Sequence, residues 1–170
     1  MGWCAYHLWM ARTLKDQIRK RSAFASPEEE AMLNVHRTAS HLSGPSQAYF
    51  KQFKLSPASY NLLRILRGHH QRGERMGVRA SEIGCQMVVR MPDVTRLVDR
   101  LEKMGLVSRS VDADDKRVKF VKITKKGLSL LERIEGGVLD LLHSQLGHMT
   151  KAQLTELSRL LELARNEDGE

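Results

Sequence analysis

The stretch TRLVDRLEKMGLVSR, residues 95–109, decides the fold of this chain. Its apolar residues, together with Val94 before it, recur at three- and four-residue spacing, which predicts a helix with one buried side. We expect that helix to run from Pro92 to about Met104. Gly105 is placed to end it in a left-handed turn, and the residues that follow alternate between apolar and polar like a strand.

Working outward, the sequence predicts a short helix before this stretch and a β-hairpin around its end. The short helix covers Ala80 to Met87, with Ile83 and Met87 facing inward. Two alternating segments, residues 106–111 and 118–123, are joined by a polar tip. The order of short helix, helix and hairpin predicts a winged helix-turn-helix, in which one helix enters the major groove of DNA and the β-wing reaches the flanking minor groove.

Further helices are predicted on both sides by capping residues. Ser26-Pro27 starts a helix that runs to about Phe53, and Ser56-Pro57 starts a second one. Residues 68–77 are expected to form a polar loop. Thr124 begins a long helix and Thr150 caps a last one. The predicted fold class is therefore mainly α with a small β-wing, a winged helix-turn-helix flanked by N- and C-terminal dimerisation helices.

This organisation divides the sequence into four parts. Residues 1–25 are a basic N-terminal extension, for which a flexible segment and a misplaced translation start stay open as alternatives. Residues 26–54 form a dimerisation helix, and residues 55–126 form the DNA-binding winged helix-turn-helix. Residues 127–170 contain the long helix and the C-terminal dimerisation helix.

Composition and charge restrict the classes of function. The 170 residues carry 28 Lys+Arg against 20 Asp+Glu, a formal net charge of +8. The segment 79–126 has a net charge of +5, whereas the last 28 residues have −2, so the positive charge lies where DNA would bind. The two cysteines are too far apart for a disulfide scaffold or a zinc ribbon. No apolar run is long enough to span a membrane, so we expect a cytoplasmic protein.

The predicted recognition helix carries most of the candidate DNA contacts. Thr95 and Arg96 lie near its start and opposite the apolar stripe, where an arginine can pair with guanine and a threonine can touch a thymine methyl. Arg100 and Lys103 lie nearer the flank and suit phosphates. A solvated charged face is the alternative interpretation. The complete set of candidates is Pro92, Asp93, Thr95, Arg96, Asp99, Arg100 and Lys103.

Residues 95–109, followed by Asp-Lys-Arg at 115–117 and Ile-Thr-Lys-Lys-Gly at 123–127, closely resemble the MarR family of bacterial transcriptional regulators. The resemblance extends over roughly residues 28–164. It implies a homodimer on a palindromic operator in double-stranded DNA, usually a repressor that a small phenolic or lipophilic ligand releases. Some relatives activate transcription instead, and some sense oxidants. A winged-helix adaptor that binds proteins rather than DNA stays open as an alternative.

The resemblance also implies roles in the wing. Asp115 would brace Arg117, which would enter the minor groove, with Lys116 between them; an ordinary exposed hairpin tip is the alternative. The sequence departs from the family at Arg79, where a Ser or Thr usually caps the short helix. It departs again at residues 90–93, which replace a Ser-rich entry to the recognition helix.

Sensing residues are less clearly marked in the sequence. His41, Tyr60 and Arg64 are candidates for a ligand pocket between helices, although a purely structural role fits them equally well. Cys85 is expected to be partly buried and structural. Histidine spacing provides no metal site, and no catalytic triad or phosphate-binding loop is present. We therefore predict no metal, no cofactor and no enzymatic activity.

Leucines near the C-terminus predict a homodimer. They form a stripe on a helix too small to bury it against the wing domain alone, and the helix 26–53 offers a complementary surface. Pairing about a two-fold axis would bury both surfaces. The candidate dimerisation residues are Met32, Val35, Leu42, Leu154, Leu157, Leu160 and Leu161.

Overall fold

The computed structural model describes residues 13–74, 76–90, 93–111 and 119–165, which contain seven helices and three short strands. The predicted fold class, mainly helical with a small β-wing, is confirmed. The helices are α1 (Leu14–Gln17), α2 (Pro27–Lys51), α3 (Pro57–Gln71), α4 (Ala80–Gln86), α5 (Val94–Lys103), α6 (Lys125–Leu146) and α7 (Lys151–Leu163). The strands are β1 (Val78–Arg79), β2 (Val107–Val111) and β3 (Lys119–Ile123).

The chain divides at Pro45 into two compact units, residues 1–45 and 46–170. In the first unit, the Ser26 hydroxyl accepts a hydrogen bond from the Glu29 N–H at 3.3 Å, as the predicted cap requires. Pro45 lies inside α2 and has no N–H to donate. The helix nevertheless continues to Lys51.

The second unit holds the hydrophobic core. Fully buried leucines of α3 and α6 meet Ile83 of α4 and the apolar side of α5. On α5, Leu97, Val98 and Leu101 are all buried, as the spacing predicted. Since each of these side chains is removed from water on folding, the stripe supplies about 1.5–3 kcal/mol per residue toward holding α5 in place.

The C-terminal end of α5 is a complete Schellman motif, which confirms the predicted left-handed turn. Gly105 has φ +71°, a conformation that costs glycine little. Its N–H donates to the Glu102 carbonyl at 2.8 Å, and the Leu106 N–H donates to the Leu101 carbonyl at 2.9 Å. The chain therefore leaves α5 in a fixed direction and enters β2.

The sheet has the strand order β1-β3-β2, and both pairings are antiparallel. Arg109 of β2 lies opposite Val121 of β3. The strands β2 and β3 confirm the predicted hairpin, and residues 112–118 of its tip lie outside the described residues. The two-residue strand β1 was not predicted, because it exists only through pairing with β3.

The polar loop predicted at residues 68–77 is wrong over its first part. Helix α3 continues to Gln71, and His69 is only 4% exposed. Its ring nitrogens lie 2.5 Å from the Glu74 carboxylate and 3.1 Å from the Gln86 side-chain oxygen. One nearby partner, Glu74, and one distant partner, Gln86, thus satisfy both ring nitrogens of a histidine that the local sequence placed in solvent.

Candidate nucleic-acid interface

The N-terminal end of α5 is built to project from the surface. The Asp93 carboxylate caps the helix by accepting a hydrogen bond from the Arg96 N–H at 2.9 Å. The Arg96 side chain is 86% exposed, with its guanidinium 3.8 Å from Asp93. A helix end that is capped on its backbone and open on its side chains suits insertion into a groove.

One side of α5 forms an open cationic face, which we define as Arg96, Arg100 and Lys103. At about 100° per residue these three positions fall within about 60° of one another on the helix, and all three are exposed. Arg100 also donates to the Lys54 carbonyl at 3.0 Å. The same side contains a groove of about 530 Å³, lined by Lys54, Arg96, Asp99, Arg100, Lys103 and Met104.

Asp99 lies on the flank between this open face and the wing. Its carboxylate is 2.5 Å from the Arg109 guanidinium, which also contacts Glu102 at 3.0 Å. Thr95 is exposed on the same flank, and its carbonyl accepts from Arg109 at 3.3 Å. The role of Arg109 was missed, although the residue ends the deciding stretch, because no local pattern pairs a strand residue with the preceding helix.

A second groove, of about 480 Å³, adjoins the C-terminal end of α5. Four cations surround it, and Phe53, Met104, Leu106 and Leu130 provide apolar surface. Lys126 donates to the Met104 carbonyl at 2.8 Å, while the Arg133 guanidinium lies 5.8 Å from the Phe53 ring centre. The cationic residues that line it are Lys54, Lys103, Lys126 and Arg133. Lys54 follows α2, Lys103 lies on α5, and Lys126 and Arg133 share α6. Only Lys103 was predicted as a contact, because no local pattern brings these three parts of the chain together.

Several predicted contacts lie outside the described residues. These are Pro92, where the sequence predicted the start of the recognition helix, and the wing residues Asp115, Lys116 and Arg117. In the structure α5 begins at Val94, after the Asp93 cap. Of the departures noted in the sequence, Arg79 is described: it precedes α4 without a side-chain cap bond. Its guanidinium lies 5.8 Å from the Phe120 ring centre instead, so this cation packs against the sheet.

The predicted ligand residues are not alike in their surroundings. Tyr60 is 9% exposed, its ring stacks on Phe50 at 4.5 Å between centres, and burial raises the pKa of its hydroxyl. Arg64 is exposed and lies 5.9 Å from the Tyr60 ring centre. His41 is exposed and belongs to the first unit.

Next to Tyr60, an ion pair joins α3 to α6. Arg67 donates to Glu135 at 2.5 Å. The hydrogen bond from this guanidinium lowers the pKa of the Glu135 carboxyl. The carboxylate therefore stays ionised beside Arg67, which fixes the relative position of the two helices.

Cys85 is exposed, so the prediction that it is partly buried is wrong. Cys85 lies two residues after the buried Ile83, which is about 200° around α4. It therefore lies on the side of the helix opposite to Ile83.

Among residues 13–74, 76–90, 93–111 and 119–165, no group of three or more His, Cys, Asp or Glu side chains could hold a metal ion. No helix in those same ranges is long and apolar enough to cross a membrane.

The candidate dimerisation residues lie on surfaces with little cover. On α2, Met32 is 59% and Val35 is 44% exposed. Helix α7 has no buried residue, and Leu160 is 47% exposed. Leu42, Leu154, Leu157 and Leu161 are half-buried. Each unit thus has apolar side chains that are partly exposed to water rather than buried in a core.

Comparison with known proteins agrees with this geometry. The family model described as "MarR family" matches residues 55–119, which cover α3, α4, α5 and β2. A crystal structure of a MarR transcription factor from Planctomyces limnophilus is 38% identical, with 83% of this chain and 99% of that chain covered and a TM-score of 0.64. The chain belongs to the MarR family of DNA-binding transcriptional regulators. This membership places it with regulators rather than enzymes.

Two further proteins show how far the likeness extends. The HTH-type transcriptional repressor IacR of Pseudomonas putida is 32% identical over 83 residues, which are 49% of this chain and 50% of that protein. The chain therefore matches about half the length of that relative. Bordetella bronchiseptica BpsR, whose DNA binding is regulated by 6-hydroxynicotinic acid, is 19% identical; 86% of this chain and 100% of that chain are covered, with a TM-score of 0.72.

Proposed function

We propose that the chain binds a palindromic operator in the bacterial cytoplasm and reads it with α5 as the recognition helix. The observation that carries this proposal is the open cationic face of α5, which lies opposite a fully packed apolar stripe. Arg96, near the capped end, is assigned to base edges and specifically to a guanine. Arg100 and Lys103 are assigned to phosphates, which fix the register of the helix on the duplex.

The wing supplies the second contact in this proposal. Arg117 enters the minor groove, braced by Asp115, with Lys116 beside them. An arginine suits a narrow minor groove because the negative potential there is strong. The antiparallel pairing of β2 with β3 supports this assignment, since the two strands that flank residues 112–118 in the sequence pair as a wing requires.

Selection of bound sequences from random duplex DNA tests the proposal. We expect enrichment of a palindrome, and Arg96→Ala should lose about 1–3 kcal/mol per half-site and relax the preference at one base pair. Arg117→Ala should instead weaken binding at all sequences and flatten the salt dependence. No enrichment at physiological salt would contradict the proposal and favour a protein-binding adaptor.

We further propose that the protein acts as a homodimer held by α2 and α7. The exposed apolar residues on both helices support this, as does the half-site geometry that a palindrome requires. The proposed contacts are Met32, Val35, Leu154, Leu157, Leu160 and Leu161. Light scattering should give a mass near twice the chain mass of 19.4 kDa; the mass of a single chain at micromolar concentration would contradict the dimer.

We also propose that the regulator is a repressor released by a small ligand. IacR is a repressor by name, and a small aromatic acid regulates DNA binding by BpsR. Within this chain, Tyr60 and Arg64 of the second unit form one candidate set, and His41 of the first unit is a separate candidate. The groove around Arg133 is a second candidate, since its cations and apolar surface suit an anion with an apolar body.

Displacement of the protein from its selected operator by phenolic acids tests this part. We expect release at micromolar to millimolar ligand, and the variants locate the site. Arg64→Ala should raise the ligand concentration needed if the first set is used, whereas Arg133→Ala should do so if the groove is used. A protein that stays bound to DNA with every phenolic and lipophilic acid tried would contradict ligand release.

A further inference from the structure

Arg109 of β2 makes an unusually dense set of contacts with α5. Its guanidinium lies 2.5 Å from the Asp99 carboxylate and 3.0 Å from the Glu102 carboxylate. It also donates to the Thr95 carbonyl at 3.3 Å, and its backbone N–H donates to Glu102 at 3.2 Å. A single strand residue thus contacts three positions of the helix.

Those three positions form a line along one side of α5. Residues 95, 99 and 102 have the spacing i, i+4, i+7, so they fall within about 60° of one another around the helix. The open cationic face, Arg96, Arg100 and Lys103, is centred about 100° further around. Contact with this line therefore adds a polar restraint on the rotation of α5 to the restraint from its buried apolar stripe.

Other contacts restrain a different part of the helix. At the C-terminal end, Lys126 binds the Met104 carbonyl and the Thr124 hydroxyl binds the Gly105 carbonyl. Both anchors lie more than two turns from Arg96, and the hydrogen bond from Arg100 to the Lys54 carbonyl lies about one turn from it. Arg109 reaches Thr95, which is in the first turn and adjacent to Arg96 in sequence. It thus acts on the end of α5 that the proposed function places in the major groove.

We propose that Arg109 is a positioning residue for base readout: it sets the rotation of the recognition helix and thereby the direction of Arg96. The inference rests on the proposed function of α5. It also assigns Asp99 a new role, since a carboxylate held by Arg109 serves the wing strand rather than a base. The planar guanidinium fork matches this task because it bonds several acceptors at fixed angles, which a lysine ammonium does not.

The experiment compares base preference and affinity in variants of the full chain. Arg109→Gln removes the charge and the fork, and we expect discrimination at the base pair read by Arg96 to fall by at least about fivefold. Arg109→Lys keeps the charge and should restore part of that discrimination. Lys119→Gln is the matched control, because it removes one exposed cation from the same sheet; it should lower affinity uniformly and leave the preference unchanged.

A cycle with Arg96→Ala separates positioning from general damage. If Arg109 acts through Arg96, adding Arg109→Gln to Arg96→Ala causes no further change at that base pair. The double variant Asp99→Asn with Glu102→Gln removes the partners instead and should reproduce the Arg109→Gln preference. Thermal unfolding of each variant identifies loss of folding.

The outcomes distinguish this inference from the proposed function. Failure of the wild-type chain to enrich any sequence would overturn both. Enrichment by the wild type with an unchanged preference in Arg109→Gln would overturn the inference alone. An equal further loss of discrimination in the Arg96→Ala background would also overturn it, because the effect would then be independent of Arg96.

Discussion

Helices α5 and α7 begin from similar signals and end in different surroundings. Both have a side-chain N-cap, Asp93 for α5 and Thr150 for α7, and both carry apolar residues at three- and four-residue spacing. Yet α5 buries three residues, whereas α7, three residues longer, buries none. Local sequence therefore determines that a helix forms, while its neighbours determine whether its apolar side is covered.

The difference has a physical consequence for α7. A helix of 13 residues is marginal on its own in water. Its capping box, in which Thr150 and Gln153 satisfy each other's backbone N–H groups, contributes about 1 kcal/mol. Most of the stability of such a helix comes from packing. In the proposed dimer that packing comes from a second copy.

The largest effect is expected from substituting the apolar leucines of α7, which should change both the oligomeric state and operator binding. Leu157→Asp together with Leu161→Asp places charges where the proposed interface excludes water, so we expect the mass of a single chain and loss of operator binding. Size-exclusion chromatography with light scattering measures the change. Leu163→Asp is the control, because position 163 lies about 120° around α7 from Leu157 and about 160° from Leu161. A dimeric double variant would show that α7 is not the interface.

The core side of the comparison is tested by Leu101→Ala on α5. Leu101 is fully buried, so the cavity and the lost apolar contact should lower the free energy of unfolding by about 2–5 kcal/mol. Urea denaturation measures this. The matched change Leu160→Ala on α7 should cost less at a protein concentration where the chain is monomeric, and an equal cost would contradict the contrast.

A pair of adjacent glycines in α6 offers a finer test. A Cβ on Gly137 would lie against the Tyr49 hydroxyl, which donates to the Ile134 carbonyl at 2.8 Å. Gly137→Ala should therefore destabilise by about 1–3 kcal/mol. Gly136 has open space around it, so Gly136→Ala should stabilise by about 0.5–1 kcal/mol through helix propensity. Thermal unfolding of the two variants should shift in opposite directions.

The smallest effect is expected at Glu74, on the turn after α3. Hydrogen bonds from His69 and then Arg72 lower the pKa of its carboxyl. A carboxyl with a lowered pKa in the folded state stabilises the protein above its unfolded pKa, and this contribution is lost as pH falls through the folded pKa. In Glu74→Gln, the free energy of unfolding should therefore fall less steeply than in the wild type as the pH is lowered. A curve that is unchanged below pH 5 would contradict this role.

The parts of the fold that were predictable are those determined by nearby residues. Gly105 follows the last apolar position of α5, so its left-handed turn could be read directly. The starts of α3 and α6 follow Ser56 and Thr124 for the same reason. Asp93 was assigned to DNA contact, yet in the structure its carboxylate also caps α5.

What escaped prediction depends on residues far apart in sequence. Strand β1 pairs with β3 through Val78 and Val121, and two residues carry no periodicity that could indicate a strand. His69 is buried by Gln86, 17 residues away. In the site, the recognition helix could be identified from its own stripe, but the contact of Arg109 with its flank depends on the geometry of the turn that joins them.

Thr124 joins the end of α5 to the start of α6, the helix that precedes α7 in the chain. Its hydroxyl accepts from the Gly127 N–H at 3.1 Å to begin α6, and it donates to the Gly105 carbonyl at 2.8 Å at the end of α5. Helix α6 has 22 residues and is about 33 Å long. In a helix of this length, a tilt of about 6° at one end would displace the other end by about 3.4 Å, the rise of one base pair.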